Sequence, residues 1–435
     1  MQIKENNKII IYILIFSSFF LFFLGFYFNE NAAGAGLLTG DISIIWSNLQ
    51  IFLNNDIINS IQHEDYYSSR TPLVYILHKL FNPFTENIVN FRRSVFVISL
   101  TLPVVFYLCL KKNFINQDKS LLLLIASIVY LSPYFRTSAY WGLEENFGSI
   151  FLLFSFLSLS KFLDSENKNL IKVQLLLFCT TFFSSCCLYF DQKLIIVPLI
   201  CFIKIITSKK ILKLKFFSVL YYLVFAQPFI YLIILWEGLI PSALSDPESG
   251  RKLGDEIFLI HIGYASTMIA FYLLPLLFFK NKNLLSLIKN FFLNKKNYYL
   301  ILLFFIYLLY LIIFSDFNNQ SNIGKGFVHK ISLLLFNDTL PRMIFVYFSF
   351  FISWVIILIY IEKNFIDILV IVYLLLLSIF IWPIFQEYFD PLILLMAFTF
   401  FNSKLFINYK NSLVLFAYAS LLLLATNIYY INLIN

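Results

Sequence analysis

Asp41, the neighbours Glu144 and Glu145, and six arginines are the side chains of this sequence best suited to chemistry. A carboxylate beside a reacting hydroxyl acts as a general base, a role that contributes about 10²- to 10⁴-fold in rate. Guanidinium groups present a rigid fork of donors that matches phosphate oxygens two at a time. Asp41 stands in GLLTGDISIIW, preceded by Gly40 and followed by an amphipathic run, so it reads equally as the N-cap of a helix, and the two roles are compatible. Arg70 belongs to HEDYYSSRTPLVYIL, residues 63 to 77, where Pro72 suits the first turn of a helix. His63, Glu64 and Asp65 are consecutive in one short stretch, and such side chains rarely point at one ion. No metal is expected.

Further along, SPYFRTSAYWGLEENFGSIF spans residues 132 to 151, and Glu144, Glu145 and Asn146 open a long apolar segment. Acids there complement the positive end of a helix. At mid-bilayer a carboxylate costs about 2.5–3.5 kcal/mol, so these two are expected to face a polar cavity, with Arg136 as the available partner. YFDQK, residues 189 to 193, is a tight turn or a polar lining of the same cavity. Trp236, Gly238 and Pro241 end a helix at an interface, where Trp is a usual anchor. The loop that follows, with Arg251 and Lys252, suits a phosphate or a solvated surface.

The elements that must position these groups are membrane helices. A chain of 435 residues that is 60% hydrophobic and 13% charged is too apolar for a soluble protein of its size. Apolar runs predict an all-α, polytopic helix bundle of about 13 spans, near 9–28, 94–110, 119–135, 147–163, 170–189, 194–207, 216–236, 259–279, 298–315, 342–361, 365–383, 390–403 and 411–431. The first has the length of a full span and no small-residue cleavage site after it, so it reads as a retained helix.

With the N-terminus cytoplasmic, 21 of the 26 lysines fall on the inner side, as the positive-inside rule requires. Arg70, Arg92, Arg93, Arg136, Arg251 and Arg342 all fall on the other, together with 18 of the 24 acids. The outer face therefore holds most of the ionisable chemistry. The net charge of +8 comes mainly from inner-loop lysines and implies no nucleic acid partner. Cys109, Cys179, Cys186, Cys187 and Cys201 lie in apolar runs without His or acid at metal-ligand spacing, so they read as packing residues.

The longest outer loop is the first, residues 29 to 93, followed by 237–258 and 316–341. Amphipathic stretches from Ile44 to Phe52 and from Leu73 to Leu80 predict short interfacial helices in it. No internal repeat or soluble domain is evident, and one integral-membrane domain, residues 1 to 435, accounts for the chain.

In this order the stretches resemble the GT-C superfamily of integral-membrane glycosyltransferases, within it the branch of the dolichyl-phosphate-glucose α-1,2-glucosyltransferase and its bacterial relatives. Asp41 resembles the family's acidic residue in the first outer loop, and Thr71-Pro72-Leu73 with Tyr75 its Thr-Pro element. SPYFRTSAYWGLEEN resembles its Pro-Tyr-Phe-Arg-Ser stretch ending in acid-Asn, here Glu145-Asn146. LWEGLIP resembles its Trp-x-Gly-x-x-Pro, and FQEYFDP its Gln-x-Tyr-x-x-Pro. The chain departs at Asp41-Ile42, where many members have Asp-Glu, and at Asp191-Gln192, where the family tends to Arg-Gln.

The resemblance implies a GT-C-like bundle that inverts a sugar's anomeric centre while moving a hexose from a polyprenyl-phosphate donor to a lipid-linked or polysaccharide acceptor. It implies Asp41 as base, Glu145 as a residue that orients the acceptor or supports the base, and Arg251, Arg342 and then Arg70 as donor-phosphate ligands, without a cofactor. Asp65, Asn146, Gln192 and Trp236 are further substrate-site candidates. The expected setting is a bacterial inner membrane, with the site on its periplasmic face among membrane lipids. Alternatives are a polysaccharide polymerase or O-antigen ligase, which should carry its largest outer loop late, and a lipid-linked sugar transporter or flippase, which should show repeats and broken helices.

Overall fold

The computed structural model describes residues 5–31, 40–68, 70–165, 169–238, 241, 252–253, 257–280, 283–315, 317, 324–361 and 364–434. They are almost entirely helical. The helices are α1 (Glu5–Tyr27), α2 (Asp41–Asn54), α3 (Ile57–Ile61), α4 (Leu73–Phe81), α5 (Ile88–Ser99), α6 (Thr101–Asn113), α7 (Lys119–Ser127), α8 (Pro133–Trp141), α9 (Glu145–Asp164), α10 (Leu170–Phe190), α11 (Ile196–Ile206) and α12 (Leu212–Trp236). There follow α13 (Ile260–Leu273), α14 (Leu284–Leu293), α15 (Lys295–Phe314), α16 (Gly326–Leu335), α17 (Thr339–Ile361), α18 (Phe365–Ser378), α19 (Leu392–Phe398) and α20 (Tyr409–Ile434). One antiparallel pair joins Lys252–Leu253 to Ile381–Trp382. The chain forms two compact units, residues 1–249 with 416–435, and residues 250–415.

Among the described residues, eight helices are long and apolar enough to cross a membrane, and a ninth crossing results if one bent pair counts as a single span. The chain is a multi-pass membrane protein. The bent pair is the expected span at 119–135: a 64° bend separates Lys119–Leu131 from Pro133–Trp141. Ser132 caps α8 by accepting a hydrogen bond from Phe135 N at 3.1 Å, and Pro133 takes the first-turn position that tolerates it. The expected spans near 194–207, 259–279, 365–383 and 390–403 contain α11, α13, α18 and α19, of 11, 14, 14 and 7 residues. Each is shorter than the roughly 20 residues of a straight crossing.

In the first unit, the long first loop folds into α2, α3 and α4. Ile42, Ile45, Leu49 and Phe52 are buried along one side of α2, at the spacing of a helical face. Of these, Ile45, Leu49 and Phe52, with Tyr66, Val74 and Tyr75, join Phe91 and Val95 of α5, Leu143 and Phe147 beside and on α9, Phe190 of α10 and Leu232 of α12 in one apolar cluster. Each such side chain contributes about 1.5–3 kcal/mol relative to exposure in water, which holds the loop against the spans.

A polar knot secures α1. Arg136, 2% exposed, donates through Nε to Glu30 Oε1 at 2.9 Å, pairs with Glu30 Oε2 through Nη2, and reaches Tyr130 O and Leu21 O at 2.9 Å each. Trp141 Nε1 and Asn427 Nδ2 complete the shell of Glu30, each at 3.1 Å. Gly25 lies where a Cβ would collide with Glu30, Arg136 and Tyr140.

In the second unit, α13 is buried along nearly its whole length and packs on α16, α17, α18 and α19. Gly263 permits the close approach, since a Cβ there would overlap the ring of Phe350 on α17.

Candidate functional site

The first unit gathers its charges at the N-terminal end of α9. Gly142, in the left-handed conformation with φ 76°, ends α8 and turns the chain so that Glu144 and Glu145 follow directly. Glu144 stands at the N-cap of α9 but makes no side-chain cap. Opposite them the segment between α3 and α4 is pinned by Asn48 of α2, which donates to Tyr67 O and accepts from Tyr67 N, both at 2.9 Å. Tyr66 Oη donates to Arg70 O at 3.3 Å, and Thr71 Oγ1 donates to Tyr189 O on α10. Arg70 is thereby presented to both carboxylates. Its Nη1 lies 3.2 Å from Glu144 Oε1, and its Nη2 pairs with Glu145 Oε1. Ser138 Oγ donates to Glu145 Oε2 at 3.5 Å. Asp191 accepts from Lys193 N at 3.2 Å and pairs with Lys193 Nζ at 2.9 Å.

Charge does not balance in this cluster when every group is ionised. Burial pushes Glu144 up to about 7, a rise that Arg70 opposes and Glu145 reinforces. Burial alone would lower Arg70, but Glu145, Glu144 and Asp191 hold it well above its ordinary value. Two cations face three carboxylates, and a proton on Glu144 makes the count even. Glu144 Oε2 is buried without a hydrogen-bond partner among the described residues, so a proton there can be held or passed on.

The partner expected for Glu144 and Glu145 is corrected. Arg136 is closed inside the Glu30 knot, and Arg70 is the guanidinium that meets the two acids. Arg70 has a carboxylate on each η nitrogen, so it is not an open fork for phosphate. Asn146, expected beside a substrate, is 2% exposed and donates to Ser99 Oγ at 3.0 Å and Phe135 O at 3.3 Å, which makes it an interior fastening. Trp236 donates through Nε1 to Ile61 O at 3.2 Å and its ring lies 6.4 Å from that of Tyr66, joining α12 to the first loop. Asp65 has 80% of its side chain exposed, with His63 as its neighbour at 3.8 Å.

Asp41 is half-buried and is the first helical residue of α2; Gly40 takes the N-cap position, so the reading of Asp41 itself as the N-cap is also corrected. Gln192 begins the short 3₁₀ turn beside Asp191. Arg342 lies in the second unit, in the first turn of α17, with Nη2 3.4 Å from Thr339 Oγ1. Arg251 lies outside the described residues. Among the described residues no three His, Cys, Asp or Glu side chains converge as metal ligands.

Sequence reasoning missed Asn48, although a lone Asn on the apolar face of α2 is a visible signal. It also missed Ser138, Lys193, Lys325 at the centre of a Gly-Lys-Gly triplet, and His329 just after that triplet. Comparison with protein-family models, curated proteins and solved structures finds no match.

Proposed function

We propose that the protein is an inverting, GT-C-like glycosyltransferase that moves a hexose from a polyprenyl-phosphate donor to an acceptor at the outer face of the membrane. The observation that carries this reading is the Arg70–Glu144–Glu145 cluster, held by a folded first loop on the ends of apolar spans. Carboxylates beside a buried cation orient and deprotonate hydroxyl groups, and apolar helices alongside suit an isoprenoid tail. In a single displacement the acceptor oxygen bonds to the anomeric carbon, the bond from that carbon to the phosphate oxygen breaks, and the acceptor's proton passes to a carboxylate. The lipid phosphate departs with the electron pair.

Asp41 is assigned as the base. Glu145, fixed on one oxygen by Arg70, orients the acceptor through the other, which Ser138 also touches. Arg70 becomes a positioning residue, and Arg251 and Arg342 stay the candidates for the donor phosphate, where growing negative charge rewards a fixed guanidinium. The full topology in this reading has about 13 crossings, a cytoplasmic N-terminus and a bacterial inner-membrane setting, with lipid-linked or polysaccharide acceptors.

The test is transfer of labelled sugar from a polyprenyl-phosphate donor in reconstituted membranes. Asp41→Asn is expected to lower the rate by about 10²- to 10⁴-fold. An unchanged rate removes Asp41 as the base, and no transfer by the wild-type protein from any such donor ends the reading.

A further inference from the structure

Among the described residues, the second unit brings Lys325, His329 and Arg342 together without an ion pair from any of them to a carboxylate. Lys325 lies between Gly324 and Gly326, and all three have positive φ, 75°, 63° and 69° in chain order. The two glycines are needed for contact as well as conformation: a Cβ on Gly324 would strike Ile384 O, and one on Gly326 would come within 2.9 Å of Met268 and Gln386. Lys325 N donates to Ile384 O at 2.7 Å, and Phe327 N donates to Gln386 Oε1 at 3.1 Å. The loop is therefore clamped, and a lysine is held in a left-handed conformation that costs about 1–3 kcal/mol for a residue with a Cβ. Such strain persists where the surroundings impose it.

That clamp carries the Lys325 side chain inward. The residue is 3% exposed, and Nζ has no hydrogen-bond partner among the described residues. Its neighbour is the face of Tyr264 on α13, with Nζ 5.7 Å from the ring centroid. His329, one turn into α16 and 5% exposed, packs edge-on against Tyr264 at 5.8 Å, and neither ring nitrogen is hydrogen-bonded among the described residues. Arg342 Nε and Tyr264 Oη are likewise buried and unbonded. The charged groups acting on His329 are Lys325, Arg342 and Lys330, all cations.

An uncompensated charge is among the most costly things to bury, and natural proteins pair such groups or give them a ligand. Lys325 at the N-cap of the ten-residue α16, His329 on α16, Arg342 on α17 and Tyr264 on α13 bring four donors to elements that pack on one another, beside a helix N-terminus that favours an anion. We propose that Lys325, His329, Arg342 and Tyr264 bind a phosphoryl anion, supplied as a lipid-phosphate headgroup or as free phosphate. The lipid source rests on the glycosyl-transfer reading; the anion site itself does not.

Binding is measured on the full-length protein in a maltoside detergent, by thermal shift and equilibrium titration. The probes are polyprenyl monophosphate, inorganic phosphate and neutral polyprenol. Wild-type protein is expected to be stabilised by a phosphate-bearing probe and not by polyprenol. Lys325→Met is expected to weaken that binding by about ten- to a hundred-fold, the usual loss of one charge-assisted bond. Without ligand the same variant is expected to melt higher than wild type, because an unpaired buried charge is gone. Binding of either phosphate probe supports the site, and the ratio of the two Kd values states the source. Absence of binding by both, or equal binding by Lys325→Met and wild type, overturns it. No sugar or acceptor enters this measurement, so its failure is separable from failure of the transfer assay.

Discussion

Arg70 and Lys325 are both cations held inside the protein, one in each compact unit, and their surroundings are opposite. Arg70 meets two carboxylates, one on each η nitrogen, while Lys325 meets an aromatic face and lies among further basic groups. Glu30 and Arg136 extend the first pattern to its limit, a closed pair in which every guanidinium nitrogen has a fixed partner. A charge satisfied within the protein holds other groups in place. A charge left unsatisfied awaits something from outside. Charge alone does not separate these three cations; their partners do.

The contrast can be broken first by removing one cation from each unit. Arg70→Met removes the guanidinium that bridges Glu144 and Glu145, and loss of one partner from a buried pair typically costs about 3–5 kcal/mol. A large fall in melting temperature is expected, recovered in part by adding Glu144→Gln. Lys325→Met should move the melting temperature the other way. If both substitutions destabilise to the same degree, the two cations are alike and the distinction fails.

Gly25→Ala probes the closed pair with less force. The added methyl meets Glu30, Arg136 and Tyr140, so α1 must shift or the pair must open. Overpacking of this kind costs about 1–3 kcal/mol. The expected readout is a lowered melting temperature and faster proteolysis between α1 and α2. An unaltered variant would show that the knot around Glu30 yields easily.

Much of this arrangement was legible from the sequence, and the parts that were not share a cause. Long apolar runs bounded by lysines gave α1, α9, α10, α12, α17 and α20 nearly their observed limits, because the bilayer demands about 20 apolar residues whatever lies next to them. The amphipathic runs of the first loop announced α2 and α4 for the same local reason. Pairing is not local. Arg136 meets Glu30 from 106 residues away, and Arg70 meets Glu145 from 75, distances over which no sequence pattern selects one acid above another. Asn146 is a site candidate through the resemblance of Glu145-Asn146 to an acid-Asn motif, yet its side chain donates to Ser99 inside the bundle. Lys325 is hidden by its type: a loop lysine reads as a topology signal, and no local pattern shows that its side chain turns inward.

The smallest effects are in pH dependence, where the two units should oppose each other. In the first unit Glu144 titrates near 7 in the folded protein, above its ordinary value of 4.5, so the folded state keeps a proton that the unfolded chain releases. Stability from this group is complete below about 4.5 and declines as pH rises toward 7. In the second unit burial and the neighbouring cations lower His329 from 6.5 to about 4, so the unfolded chain binds a proton that the folded state refuses. Its contribution is complete above about 6.5 and declines as pH falls toward 4. Melting temperatures of Glu144→Gln and His329→Gln, each taken as a difference from wild type between pH 4.5 and 7, should therefore slope in opposite directions. Other buried histidines, such as His78, cancel in those differences. A phosphate ligand on the second unit favours the protonated ring, so at saturation the His329 slope should shrink while the Glu144 slope stays. If the ligand leaves both slopes unchanged, His329 does not face the anion, and the site is reduced to Lys325 and Arg342.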